Sequence, residues 1–165
     1  MTIPAPADTY ERARRLANYW LFTVDLQCRR LKSSEAEDEQ FVLRRWVDFE
    51  FLVVALTRFR RAVALAAGLP ELQPVLSIGL QVFDSELPSL KRLRDTAEHF
   101  DDYAVDRGHD IRIMRQSLEV SALSGDGTVL VWLGEELDST LALTAAARLF
   151  ATLQKASRQF ESANQ

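Results

Sequence analysis

The sequence predicts a mainly α-helical fold, a four- to five-helix bundle with a small β-hairpin before the C-terminal helix. Three observations predict it. Apolar residues recur at intervals of three and four over most of the chain, which is the period of an amphipathic helix. Glycine and proline stand where these runs end. One late segment instead contains two β-like runs around an Asp-Gly pair, a short-range signal for a hairpin.

The first two helices are predicted on either side of an acidic connection. Residues 1–7 form a predicted flexible leader, and the first helix begins at Asp8, a residue type that caps helix N-termini. The acidic stretch at 33–39 connects it to a long second helix over roughly residues 39–67, which ends at Gly68. The second helix is apolar almost all round, which predicts the central position in a bundle.

Two further helices precede the hairpin. The third runs from Pro74 to about Ser85, and the fourth has Pro88 in its first turn and ends at Gly108. The fourth carries an apolar stripe that should face the core, formed by Leu87, Leu90, Leu93, Ala97, Phe100 and Ala104.

The remainder completes one predicted domain over residues 8–165. The hairpin is expected at about 118–133 and the last helix, capped by Asp138 or Ser139, at about 139–160.

Composition narrows the function classes. The net charge is −4, so the chain has no overall positive field, and nucleic acid would need a local basic patch. The single cysteine, Cys28, rules out an internal disulfide and a cysteine-based metal cluster, and apolar neighbours favour a buried thiol. The most apolar stretch, 51–57, is too short to span a bilayer. We therefore expect a cytoplasmic protein without membrane contacts, and no metal or other cofactor.

One stretch carries most of the candidate chemistry. In LRDTAEHFDDY, residues 93–103, five positions separate Arg94 from His99, which puts them about 140° apart on a helix. They are poorly placed to pair within one chain. Asp95, four residues before His99, is expected to accept a proton from its imidazole or fix its tautomer.

A two-fold axis would bring each arginine to the partner's histidine. Arginine neutralises a phosphate and histidine moves a proton, which suits phosphodiester cleavage. The basic cluster Arg58, Arg60 and Arg61 is a candidate for holding further phosphates, although such clusters are commonly surface charge.

These residues resemble the signature of the HEPN superfamily of ribonucleases, which is R-x(4–6)-H with Asn, Asp or His directly after the arginine. The resemblance covers about residues 8–110. It implies that Arg94 binds phosphate, that His99 is catalytic and that Asp95 supports them. It also implies a homodimer that cleaves RNA without metal, of the kind found in toxin–antitoxin and phage-defence systems, with a possible antitoxin or other protein partner.

The match departs from one branch of that superfamily. There a tyrosine lies two residues after the histidine, whereas this chain has Asp101, and Tyr103 is a displaced candidate for contact with substrate. The segment HFDDYAVDRG also resembles uncharacterised actinobacterial proteins, which implies no function.

Two other interpretations stay open. Acids that follow the motif, Asp101, Asp102 and Asp106, would repel a phosphate backbone and favour a non-catalytic dimerisation or protein-interaction module. A third interpretation is a small-ligand pocket among Trp20, Trp46 and Phe49.

Overall fold

The structure, a computed structural model, describes residues 5–35 and 43–163, with side chains to residue 158. It is mainly helical, with a small three-stranded antiparallel sheet before the last helix, as the sequence predicts. The elements, in chain order, are α1 (Pro6–Lys32), α2 (Leu43–Ala67), α3 (Gln73–Glu86), α4 (Leu90–Glu98), α5 (Phe100–Ala104), β1 (Ser121–Leu123), β2 (Val129–Trp132), β3 (Glu135–Asp138) and α6 (Ser139–Ala163).

The long helices α1 and α2 form the centre of the bundle. They share the most extensive contact in the fold. Ala13 and Ala17 of α1 and Phe49 and Phe59 of α2 are all fully buried in the core. At one end, buried Asp48 accepts hydrogen bonds from Arg30 at 2.7 Å and Arg44 at 2.9 Å. The apolar middle of α2 is therefore central, as predicted.

The last helix closes the bundle against α3 and α1. It crosses α3 at Gly79, where a Cβ atom would lie 3.1 Å from Leu149. Tyr10 of α1 bonds to Ser157, and the Cys28 thiol donates to the carbonyl oxygen of Ser139 at 3.2 Å. Both ends of α6 are thus tied to α1.

The sheet is a meander with strand order β1-β2-β3. Leu130 pairs with Leu137 across β2 and β3, and both side chains are buried. Gly127, in the turn between β1 and β2, has φ +72°. A Cβ atom at this position would lie 2.6 Å from Nε of Arg45 and clash with it. The Asp138 carboxylate accepts hydrogen bonds from the backbone N–H groups of Thr140 and Leu141, which confirms Asp138 as the cap of α6.

The N-terminal boundary differs from the prediction. The first helix begins at Pro6, so Asp8 lies in its first turn and is not the cap. Proline suits this position because its φ angle is already helical and it has no N–H to leave unpaired. Residues 1–4 of the predicted leader, residues 36–39 of the acidic connection and the predicted start of the second helix at residue 39 lie outside the described residues.

The predicted fourth helix is wrong in its second half, because it is divided at His99 into α4 and α5 and ends at Ala104 instead of Gly108. Leu87, Leu90 and Leu93 are buried as expected, whereas Ala97, Phe100 and Ala104 are exposed. The backbone of His99, at φ −118° and ψ 31°, turns the following segment so that Tyr103 faces the core instead.

The predicted hairpin is likewise one strand short. Strand β3 follows Gly134, which has φ +73°, and completes the sheet. The start of the expected first strand is instead a short 3-10 helix, Arg115–Leu118. In the two described segments, none of the helices combines the length and apolar character needed to cross a membrane.

Candidate functional site

A cavity of about 450 Å³ lies between α2, α4 and the turn that joins α3 to α4. Four of its lining side chains are cationic, namely Arg60, Arg61, Lys91 and Arg94, and Asp84 is the carboxylate in its wall. We call it the cationic cavity. It brings Arg94 together with two arginines of the basic cluster, which the sequence places on a different helix.

The charges of the cationic cavity are only partly balanced. Nε and Nη2 of Arg60 donate to the two carboxylate oxygens of Asp84 at 2.6 and 2.5 Å, and these hydrogen bonds raise the pKa of Arg60. Over the residues that the structure describes, Arg61 and Lys91 form no ion pair. The cavity therefore carries spare positive charge, which attracts anions such as phosphate.

Arg58, the third arginine of the basic cluster, lies outside this cavity. Its guanidinium carbon is 5.7 Å from the centroid of the Trp20 ring, which is the arrangement of a cation–π contact between α2 and α1. The interpretation of Arg58 as a phosphate-binding residue beside Arg60 and Arg61 is therefore not supported by its position.

Arg94 is half-buried on α4, with its side chain 22% exposed. Its Nη2 donates to the Asp95 carboxylate, and its Nε lies 3.8 Å from the Glu98 carboxylate. That Nε is buried, and among the described residues no atom accepts its hydrogen. The guanidinium is thus fixed in position by acids on its own helix while it keeps donors for another group.

His99 lies on the break between α4 and α5 and is 56% exposed. Its Nδ1 lies 3.9 Å from the Asp102 carboxylate. The expectation that Asp95 orients His99 is wrong, because the Asp95 carboxylate bonds to Arg94. Arg94 lines the cationic cavity and His99 does not, so within one chain these two candidates do not line the same cavity.

The chain's other histidine, His109, lies beside His99. Their ring centroids are 6.1 Å apart and their planes nearly perpendicular, at 88°. His109 is exposed, as its place beyond the predicted helix end suggests. The sequence pattern did not select it, because ten positions across a helix break follow no helical period. The two imidazoles form an exposed pair that we call the histidine pair.

Tyr103 contacts His109, one member of the histidine pair, through its hydroxyl. It is buried, and its ring packs against Gly108, where a Cβ atom would lie 2.0 Å from the ring. Its hydroxyl lies 3.3 Å from Nδ1 of His109 and accepts a hydrogen bond from the backbone N–H of Asp110 at 3.2 Å. Tyr103 is therefore not placed to contact substrate, in contrast to the prediction, and positions His109 instead.

Ion pairs hold the chain that follows His109 against α4. Hydrogen bonds from Arg112 keep the pKa of Asp110 well below its usual range. The ionised Asp110 also lies 3.6 Å from Arg92, which in turn donates to Glu135 of β3 at 2.7 Å. These contacts fix the backbone on one side of the histidine pair.

A second cavity, of about 650 Å³, lies between α2, residues 93–100 and the sheet. We call it the aromatic groove. Its walls are mainly apolar and include Trp46, Phe49, Phe100 and Trp132, together with Arg94. Trp46 and Phe49 were predicted to line a ligand pocket with Trp20, but Trp20 does not line this groove. Arg94 lines both the groove and the cationic cavity.

The residues that the structure describes contain no cluster of three or more His, Cys, Asp or Glu side chains arranged to hold a metal ion.

Comparisons with protein-family models, curated proteins and solved structures found no match for this chain.

Proposed function

We propose that the protein is a metal-independent endoribonuclease that acts as a homodimer. The observation that carries this proposal is the exposed histidine pair, with ring centroids 6.1 Å apart. RNA cleavage through the 2′-hydroxyl requires one group that takes a proton and one that gives a proton, and imidazole performs both at neutral pH.

The reaction follows from these two groups. One imidazole removes the proton of the 2′-hydroxyl, and the 2′-oxygen forms a bond to phosphorus as the bond from phosphorus to the 5′-oxygen breaks. The other imidazole donates a proton to the departing 5′-oxygen. The products are a 2′,3′-cyclic phosphate and a free 5′-hydroxyl, so no external oxidant or nucleophile is consumed.

Arg94 is the proposed phosphate-binding residue. It lies in the cationic cavity with Arg61 and Lys91, which form no ion pair with any described residue and whose charge would neutralise the developing negative charge on phosphorus oxygens. Because His99 does not line this cavity, we propose that a second copy completes the site, with Arg94 of one copy facing His99 of its partner.

Cleavage of a labelled single-stranded RNA in excess EDTA tests the proposal. Arg94→Ala and His99→Ala should each reduce kcat/KM by roughly 100-fold or more. Arg29→Ala, which removes an exposed arginine of α1 paired with Asp25, is the control and should cleave at the wild-type rate. Equal cleavage rates in wild type and both site variants would refute the proposed endoribonuclease site.

Mixing the two inactive variants tests the shared site. A mixed dimer holds one intact site, because Arg94 comes from one copy and His99 from the other. After exchange of subunits, activity should return to roughly one quarter of wild type. If Arg94 and His99 act within a single chain, the mixture stays inactive.

A non-catalytic interaction module is the second candidate. Exposed aromatic side chains on α1 and α2 favour it, since Tyr19 and Phe22 are each 61% exposed and Phe51 is 56% exposed. This candidate predicts no cleavage by wild type, together with self-association or binding of a protein partner that weakens in Phe22→Ser and is unchanged in His99→Ala.

A role of the proposed ribonuclease as a toxin predicts growth arrest on expression that Arg94→Ala relieves.

A further inference from the structure

The aromatic groove exposes apolar surface that folding leaves uncovered. Leu43, Val47 and Phe100 line it and are 67%, 46% and 48% exposed. Exposed apolar side chains that meet in one concave surface mark a binding site more often than isolated ones do. The groove volume, about 650 Å³, lies within the range of small-ligand sites, which is about 300–1,000 Å³.

Arg94 places a positive charge beside this apolar surface. It lines the groove and also the cationic cavity. A ligand that reaches both therefore carries an apolar body next to an anionic group. The two tryptophans, Trp46 and Trp132, supply the largest flat faces in the groove, and flat aromatic faces suit a planar ring.

The rim of the groove carries hydrogen-bond acceptors. Glu50 and Glu98 supply carboxylates and Ser121 a hydroxyl. Glu98 lies close to Arg94, whereas Glu50 has no ion pair in the part of the chain that the structure describes. A hydrocarbon chain offers these acceptors no hydrogen-bond donor, whereas a nucleobase offers N–H donors at its edge. Guanine suits Glu50 best, since its N1–H and N2–H lie side by side as a carboxylate requires.

We propose that the aromatic groove binds one unpaired guanine of single-stranded RNA, adjacent to the phosphate held by Arg94. This rests on the proposed function and adds a base preference to it. The base stacks on Trp46 or Trp132, and its Watson–Crick edge donates to Glu50. The protein would then cleave beside guanines in unpaired RNA.

Binding is measured with full-length His99→Ala, which holds RNA without cleaving it. The probes are three fluorescently labelled uridine oligomers that carry a central guanosine, a central uridine or an abasic site. We expect the guanosine oligomer to bind about 10-fold more tightly than the abasic one, as for other stacked bases. The uridine oligomer should fall between them.

Three substitutions assign the effect to the groove. Trp46→Ala should abolish the gain from guanosine, whereas Trp20→Ala, outside the groove, should leave it intact. Glu50→Gln changes an exposed residue on the rim and keeps its shape, so it should bring guanosine and uridine affinities within about 2-fold of each other without loss of stability. Circular dichroism melting verifies that each variant folds.

Other results separate the two proposals. If all three oligomers bind equally and binding still depends on Arg94, the guanine site is refuted and the nuclease proposal stands. If no oligomer binds, both are refuted. If Trp46→Ala and Glu50→Gln change only the dimerisation constant in sedimentation, the groove is an interface between copies and the guanine site is refuted.

Discussion

The histidine pair depends on a glycine. Gly108 leaves room for the Tyr103 ring, and Tyr103 in turn contacts His109 through its hydroxyl. A side chain at residue 108 would overlap the ring by more than a small adjustment can relieve, since the Cβ would lie 2.0 Å from it. The position of His109 is therefore fixed by packing in the core beneath it.

Gly108→Ala should destabilise the fold by about 1–3 kcal/mol, because the Tyr103 ring must leave its packed position. Under the proposed function it should also lower RNA cleavage, because His109 loses the contact with the Tyr103 hydroxyl. Chemical denaturation and the cleavage assay measure the two effects. Gly125→Ala is the matched control, since nothing lies within 4 Å of its added Cβ. A neutral Gly108→Ala would show that Tyr103 does not need this position.

In the proposed mechanism His109 transfers a proton and does not bind phosphate, so His109→Ala should reduce kcat by roughly 100-fold with little change in KM. The tertiary fold should persist because His109 is exposed. Single-turnover cleavage measures the rate, and near-ultraviolet circular dichroism checks the fold. Full activity would mean that the second proton-transfer group comes from elsewhere, leaving His99 with a different partner.

At the scale of single residues, the sequence predicted some features and not others. Helix geometry predicts that Arg94 and His99 point in different directions, because their angular spacing needs only the helix period, and in the structure the two residues do not line one cavity. It gave Asp95 the wrong partner, since one helix turn after Asp95 the chain leaves the helix. His109 was not predicted because its closeness to His99 depends on how the chain turns back after α5.

Among the elements, α1 and α2 are joined by an ion pair to one buried acid. Asp48 is 2% exposed and joins Arg30 and Arg44 across the end of the helix pair. Both arginines reach partial solvent, so removal of the acid leaves two cations that water stabilises in part. The ion pairs here act as a fixed point at which the two helices meet.

Asp48→Ala should lower the free energy of unfolding by about 2 kcal/mol, as two charge-assisted hydrogen bonds are lost. Asp25→Ala, which removes an exposed acid paired with Arg29 on α1, should cost less than about 0.5 kcal/mol. Urea denaturation of the two variants gives the comparison. Equal effects would show that Asp48 contributes no more than a surface pair.

Element boundaries were predictable where local chemistry sets them. The α2 helix ends at Ala67, before Gly68, and α6 is capped by Asp138. The break at His99 and strand β3 were not predictable, because both are decided by partners distant in sequence. The Glu-Glu pair of β3 is a poor strand former, and Leu137 enters the sheet because it packs across from Leu130.

For the molecule as a whole, the buried thiol of Cys28 links stability to pH. Burial in the bundle raises the pKa of its thiol to about 12. In the unfolded chain the thiol ionises near its ordinary pKa of 9.0. The folded protein therefore keeps a proton that the unfolded chain releases between these values, and stability falls as pH rises through that window.

Through this group alone, the free energy of unfolding should fall by roughly 1.4 kcal/mol in total between pH 8 and pH 10, most of it above pH 9. Denaturation at pH 8, 9 and 10 measures the slope, and Cys28→Ala should lack this contribution. In the wild type a thiol reagent at pH 8 should react only as fast as the protein unfolds. Rapid labelling of the native protein would contradict the buried position.

The break at His99 has a consequence for how this segment tolerates changes of length. Leu93 anchors one side of the break in the core and Tyr103 anchors the other. In an unbroken helix, one added residue rotates everything after it by about 100° and removes the second anchor from the core. Here the two anchors belong to separate helices that meet at the non-helical backbone of His99, so we expect one inserted or deleted residue to disturb the second anchor less than it would in an unbroken helix. We therefore expect the sequence spacing between Leu93 and Tyr103 to be less constrained than the burial of either side chain.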